Sequence, residues 1–266
     1  MSSCAGSGFP STTYTTSLRQ EHIVTNKRVF SVRPACAADV PLLAEAERKK
    51  FGNAGTDVYG EDYFRCWLEV NPNGLLVATL NGVIAGYSYT QNVDFEFDRI
   101  PTLTTYNDLT DDGFTRRTHR LHGNTIDGVT AISLEEGSVH TIFGEILRQM
   151  QAERRKFIIS GARISGFAAY CNRLRTDGVD LTGISERDLA IYYAEKCAML
   201  RGGKIWPSFG KADALNIPAP TDPDPVLNKW LRHPGFGIAA VMNKWMKDPE
   251  SLEYGVLIVL QNPDIP

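Results

Sequence analysis

"SLEEGSVHTIFGEIL" (Ser133–Leu147) decides how this chain folds. Before it, "TIDGVTAISL" (Thr125–Leu134) reads as a strand. After it, "GEILRQMQAERRKFI" (Gly144–Ile158) sets Ile146, Leu147 and Met150 on one helical face and Arg148, Glu153, Arg154 and Arg155 largely on others. A strand, a turn holding Gly and Ser, and a helix form the arrangement in which the first amides of a helix hold an anion. Yet the turn carries two acids, Glu135 and Glu136, and its glycines, Gly137 and Gly144, are widely spaced.

Working upstream, "LLVATLNGVIAGYSYTQNVDF" (Leu75–Phe95) reads as a hairpin around Asn81-Gly82, a dipeptide that accepts positive φ at both central positions. "RVFSVRPA" (Arg28–Ala35) alternates as a strand that Pro34 ends, followed by a helix with Asp39 at its cap and Pro41 in its first turn. "DVYGEDYFRCWLEVNPNG" (Asp57–Gly74) predicts a second helix, stopped by Asn-Pro-Asn-Gly. The stretch 98–124 is a long excursion between strands. Downstream, a short strand is expected at Phe157–Ser160, helical patches and turns over 161–230, and two late strands at Gly237–Met242 and Tyr254–Leu260. This order predicts an α/β or α+β fold around one mixed sheet.

The 266 residues suffice for a real core, and a net charge of −3 leaves no global basic field, so neither nucleic acid nor an anionic membrane surface is the expected partner. The five cysteines lack CxxC or CxxH spacing and are expected as reduced thiols, with no metal site. No signal-peptide pattern and no run near the ~18 apolar residues of a membrane span is present, so the expected location is cytoplasmic. Residues 1–26, rich in Ser, Thr and Gly, are expected to be a flexible leader before one domain over 27–266, with 172–225 as a helical and loop insertion.

The order of elements, with "VRPACAADVPLLAEAE", "GLLVATLNGVIAGYSY", "TAISLEEGSVHTIFGEILRQM", "GARISGF" and the closing "VMNKWMKDPESLEYGVLIVLQNP", resembles the GNAT superfamily of acyl-CoA-dependent acyltransferases over about 28–262. The resemblance implies a GNAT-like, mostly antiparallel sheet flanked by helices, and an acyl-CoA co-substrate, acetyl or longer, lying in an opening between two central strands. It also implies direct attack by a small-molecule amine in a monomer or homodimer. Ile132, Ser133, Leu134, Ser138, Val139, His140, Thr141, Ile142, Phe143 and Gly144 then fall where the donor binds.

Within that frame the turn departs from the family pattern. Ser138 stands at the Gln or Arg position, and Thr141 and Phe143 stand at the two small positions. A unit charge repelling another at about 6 Å costs roughly 0.7 kcal/mol in water, so Glu135 and Glu136 are tolerable beside phosphate if they point outward. Two readings stay open. Either backbone amides and Thr141 still bind CoA, or Phe143 fills the phosphate space and the protein takes an acyl carrier protein as donor or binds a ligand or partner without catalysis. Candidate proton-transfer residues are Glu135 and Glu136 as bases, Tyr254 and Tyr170 as acids for the leaving thiolate, and His119 or His140 as neutral-range bases. Each has a plainer role as loop charge or packing residue. Cys171 as a nucleophile lacks an evident His partner, and "RRTHR" (116–120) is either a phosphate contact or a solvated face.

Overall fold

The computed structural model describes residues 29–52, 58–102, 105–210 and 215–265; the expected leader lies outside them. The chain runs β1 (Ser31–Pro34), α1 (Val40–Phe51), α2 (Glu61–Val70), β2 (Leu75–Leu80), β3 (Val83–Val93), α3 (Tyr106–Thr110), β4 (Thr125–Ser133) and α4 (Ser138–Ala152). It continues with β5 (Phe157–Arg163), α5 (Phe167–Thr176), α6 (Glu186–Met199), β6 (Lys204–Ile205), α7 (Leu227–Leu231), β7 (Phe236–Met242) and β8 (Gly255–Gln261). The strands form one sheet in the order β1-β2-β3-β4-β5-β8-β7-β6, antiparallel except at β4–β5 and β6–β7.

The turn at Asn81-Gly82 takes positive φ at both residues, as its sequence requires, and pairs β2 with β3. Asp39 stands at the α1 N-cap, but its carboxylate turns back to Arg33 Nη1 at 2.7 Å and accepts from the Cys36 amide. The Arg33 hydrogen bond holds that carboxyl at about 2. Helix α4 begins at Ser138, six residues before the helix read at Gly144, so the turn is shorter than the glycines suggest. The excursion expected over 98–124 contains α3 and a 3-10 turn at Phe97–Thr102. The helix α7 and the two-residue β6 carry too few periodic residues to read from sequence.

Apolar side chains fill both faces of the sheet. On one, α4, α5, α6 and α7 enclose Ile142, Ile146, Met150, Phe167, Ala190, Leu227 and Ile258. On the other, α1 and α2 bury Leu43, Phe64 and Trp67 against Val77, Tyr87 and Tyr89, while Trp206, Trp245 and Phe95 cover the β5–β8–β7 half.

Candidate active site

β4 and β5 pair only from Thr125↔Phe157 to Gly128↔Ser160. Beyond that rung β4 stays with β3 up to Ser133, and β5 stays with β8 up to Arg163, so the two parallel strands part. Two devices hold the divergence. Tyr89 pairs with Thr130 but Thr90 with Gly128, which leaves Val129 as an extra residue on β4 and turns that strand. Ser160 Oγ donates to the Gly128 carbonyl at 2.8 Å and closes the narrow end. Gly128, Thr130, Ala131 and Gly161 are half-buried, so the parted strands are reachable from outside. Facing backbone groups of a parted pair offer hydrogen bonds to an extended ligand.

The turn after β4 sits at the wide end. A second bulge frees the Ala85 carbonyl on β3, which accepts from the amides of Leu134 and Glu135 at 2.9 Å each. Gly137, at φ +91°, supplies the left-handed residue that points the chain into α4. Ser138 is fully buried, its Oγ 3.1 Å from Ser133 Oγ, and a Cβ on Gly86 would meet that Oγ at 2.5 Å. Strand β3 thus approaches the helix start so closely that only glycine fits at position 86. Thr141 Oγ1 bonds back to the Gly137 carbonyl at 3.0 Å, while the amides of Val139 and His140 take no partner among the described residues. They are the open donors of this helix end.

Phe143 points into an aromatic cluster. Its ring is buried against His233 (4.6 Å between centroids), Phe236 (5.5 Å) and Trp230 (6.4 Å), so it joins α4 to the segment around α7. His140 is exposed and stacks on His233 at 5.1 Å; burial, then His140, pushes the His233 pKa down. The segment around α7 is pinned from behind. Tyr170 Oη donates to the Pro218 carbonyl at 2.7 Å and Tyr192 Oη to that of Ile217 at 2.9 Å. The Asp224 carboxylate accepts from the amides of Gly166, Val226 and Leu227 and from Tyr193 Oη.

The structure gathers Ile132 to Gly144 at the wide end, with Glu135 and Glu136 exposed on its rim. Tyr254 lies at the same end, since it precedes Gly255, the partner of Arg163; it packs on Phe167, and burial raises its pKa. Tyr170 and His119 are not brought there. The Tyr170 hydroxyl is committed to Pro218, and His119 Nδ1 accepts from the Asn92 amide (3.2 Å), beside the closed end of the strand pair. Burial, helped by Arg155 and Arg120, lowers the His119 pKa. Cys171 is fully buried and its thiol is pushed up to about 11 by burial, which suits packing and not attack. In "RRTHR", Arg116 pairs with Glu69, Arg117 with Asp111, and Arg120 bonds its own loop carbonyls.

The opposite face of the same strands holds groups that the sequence reading passed over. Asp127 on β4 and Gln91 on β3 are fully buried and bonded at 2.9 Å; Gln91 also donates to the Leu109 carbonyl and accepts from Thr118 Oγ1. Glu47 of α1 is buried and accepts from Tyr87 Oη, and the hydroxyls of Tyr59 and Tyr106 meet close by. Burial lifts both carboxyls to about 7, against the pull of Gln91 on one and Tyr87 on the other. The available signal was one aspartate inside the strand "TIDGVTAIS", where a charge interrupts an apolar alternation.

No family model matches the chain, and no curated protein does. Solved structures match it in fold. The GphF GNAT-like decarboxylase, in complex with isobutyryl-CoA, aligns with a TM-score of 0.54 at 17% identity, covering 87% of this chain and 98% of that one. The loading GNATL domain of CurA from Lyngbya majuscula aligns with a TM-score of 0.56 at 15% identity, covering 88% and 98%. The chain has the GNAT fold, with the parted β4–β5 pair and the turn into α4 as its central features. Among the described residues no helix is long and apolar enough to cross a membrane, and no cluster of His, Cys, Asp and Glu is placed to hold a metal.

Proposed function

We propose that the protein is an acyltransferase that takes an acetyl or longer acyl group from a CoA thioester and passes it to an amine by direct attack. The observation that carries the reading is the parting of β4 from β5 beyond Gly128 and Ser160, directly beneath the start of α4. The site's residues suit that donor. The unpartnered amides of Val139 and His140 would hold phosphate oxygens, helped by the helix dipole, and the β4 edge from Val129 to Ser133 would hold the pantetheine arm. Ser133 and Ser138 bring hydroxyls to the same turn, and Tyr254, at the same end of the sheet, would serve as acid for a departing thiolate. Glu135 and Glu136 are exposed residues, and repulsion of phosphate by exposed charge is weak. The direct reaction needs only a positioned carbonyl, donors for its oxygen and two proton transfers. Calorimetric titration and thermal shift with acetyl-CoA and isobutyryl-CoA test the reading; no heat and no shift with either overturns it.

A second reading has one observation in its favour. The wall of Phe143, Trp230 and His233 stands beside the α4 turn, where the nucleotide end of CoA would run, and a pantetheine arm on a carrier protein has no nucleotide to accommodate. The name of one fold neighbour, a loading domain, agrees with that alternative. Transfer from an acyl-loaded carrier protein, together with none from acyl-CoA, would select it.

A further inference from the structure

Trp245 lies on the face of the sheet opposite α4, and its indole spans two strands. A Cβ on Gly255 of β8 would meet its Cγ at 2.5 Å, and one on Gly161 of β5 would overlap its Cζ2, Cε2 and Cη2. The ring therefore runs from β8 across to β5 and ends with its six-membered edge over Gly161. Only glycine at both positions lets it lie so close to the strands. Gly161 is the first β5 residue beyond the last rung shared with β4, Gly128↔Ser160, and it is half-buried. The leading edge of the indole thus stands at the lip of the opening.

The ring is held there from several sides. The Trp245 amide donates to the Glu253 carbonyl at 2.7 Å, and the Tyr106 amide of α3 donates to the Trp245 carbonyl at 3.0 Å. The Tyr106 ring meets the indole edge-on at 5.2 Å. Arg163, at the end of β5, donates through Nε and Nη2 to Asp248 at 2.6 and 2.8 Å, which ties the β7–β8 connection to the same strand. Trp245 is 4% exposed, a fixed wall and not a lid.

We infer that Trp245 limits the length of the acyl group, so that the donor is acetyl-CoA or propionyl-CoA and not a longer acyl-CoA. The inference rests on the acyl-CoA reading above. With its phosphates at the start of α4 and its arm along β4 from Ser133 back toward Val129, the donor brings its thioester to the narrow end, beside Gly161. Beyond that point the Gly128–Ser160 rung closes the sheet, and on the α4 face Ile126, Ile142, Ile146 and Ile158 fill the space. A longer chain has to leave through the far face, where the indole meets it. A rigid wall discriminates by roughly 10-fold or more for each methylene that does not fit.

The test measures, by calorimetry, dissociation constants of acetyl-, propionyl-, butyryl-, hexanoyl- and decanoyl-CoA. Wild type is expected to bind acetyl- and propionyl-CoA best and hexanoyl-CoA about 30-fold more weakly. Trp245→Ala is expected to bind hexanoyl-CoA about 10-fold more tightly than wild type does, and acetyl-CoA within about threefold. Trp245→Phe keeps an aromatic ring, which guards against a misfolded alanine variant, and is expected to move the limit only as far as butyryl-CoA. Trp206→Ala is the control for packing: Trp206 belongs to the same cluster but follows the edge strand β6, so its loss should lower urea stability and leave the chain-length order unchanged. No binding of any acyl-CoA overturns the donor reading and this assignment with it. A wild type that prefers hexanoyl- or decanoyl-CoA, an unchanged chain-length order in the folded Trp245 variants, or an equal shift in Trp206→Ala overturns the assignment alone.

Discussion

The two faces of the sheet at the β4–β5 opening are built from different chemistry. On the α4 face, Ile142, Phe143, Ile146 and Phe236 pack as hydrocarbon and aromatic, and the polar groups, Asp224 and the hydroxyls of Tyr170, Tyr192 and Tyr193, are spent on pinning the α7 segment. On the α1–α2 face, tyrosine hydroxyls and two buried carboxyls, Glu47 and Asp127, lie among Phe64, Trp67 and Tyr89. Buried acids cost stability unless they are hydrogen-bonded: Asp224 accepts from three amides and a tyrosine, whereas burial lifts Glu47 and Asp127 to about 7. The first face spends its polar groups on packing, and the second holds two carboxyls lifted toward neutrality.

That contrast can be broken from either side. The largest effect is expected from Phe143→Ala, which removes the ring joining α4 to the α7 segment; a loss of about 3–5 kcal/mol in urea unfolding should follow. Because the ring is packed against Trp230 and His233, acyl-CoA affinity in the surviving folded protein should not improve. A gain in affinity would show that the apolar face was obstructing the donor.

On the titrating face, Glu47→Gln addresses pH. The Glu47 pKa is raised in the folded state, so its stabilising contribution is fully present below the unfolded value near 4.5 and is lost as pH rises through about 7. The variant should therefore be more stable than wild type at pH 8, by up to roughly 3 kcal/mol, and about equal to it at pH 4. Urea midpoints at the two pH values check this, and equal gains at both would mean that Glu47 is not the titrating group.

Next in size, Gly86→Val should cost about 1–3 kcal/mol by overpacking, because its side chain would drive into Ser138 Oγ and the Ile132 carbonyl. Its acyl-CoA affinity should fall together with stability if the α4 start is the donor site. Tyr170→Phe should be the mildest. Losing the bond to Pro218 leaves one carbonyl unpaired at a cost of about 1 kcal/mol, and transfer should survive, since that hydroxyl is already committed to Pro218. Loss of transfer with stability intact would return Tyr170 to the list of acids.

The contrast also explains what could be read in advance. The hairpin at Asn81-Gly82, the strand–turn–helix at Ser133 and the two late strands follow from local signals, namely turn dipeptides and alternation, and these placed the GNAT-like order correctly. Ser138 to Gly144 was legible as a helix start but not in register, since glycine spacing suggested a longer turn while the real pivot is the φ of Gly137 alone. Which way Phe143 points was not legible, because its packing depends on α7, eighty-odd residues further on. Asp127, Gln91 and Glu47 come from three separate elements, and no spacing in the sequence announces that they share one face.

The pairing of the sheet also carries a consequence for how the chain is made. β5, at the centre of the sheet, holds its parallel neighbour over only four rungs, and its long antiparallel partner is β8, synthesised roughly a hundred residues later. Before β8 is made, β5 has an unpaired apolar edge, the kind of edge that pairs with other chains. A chain truncated before Gly255 should aggregate rather than fold to a smaller domain.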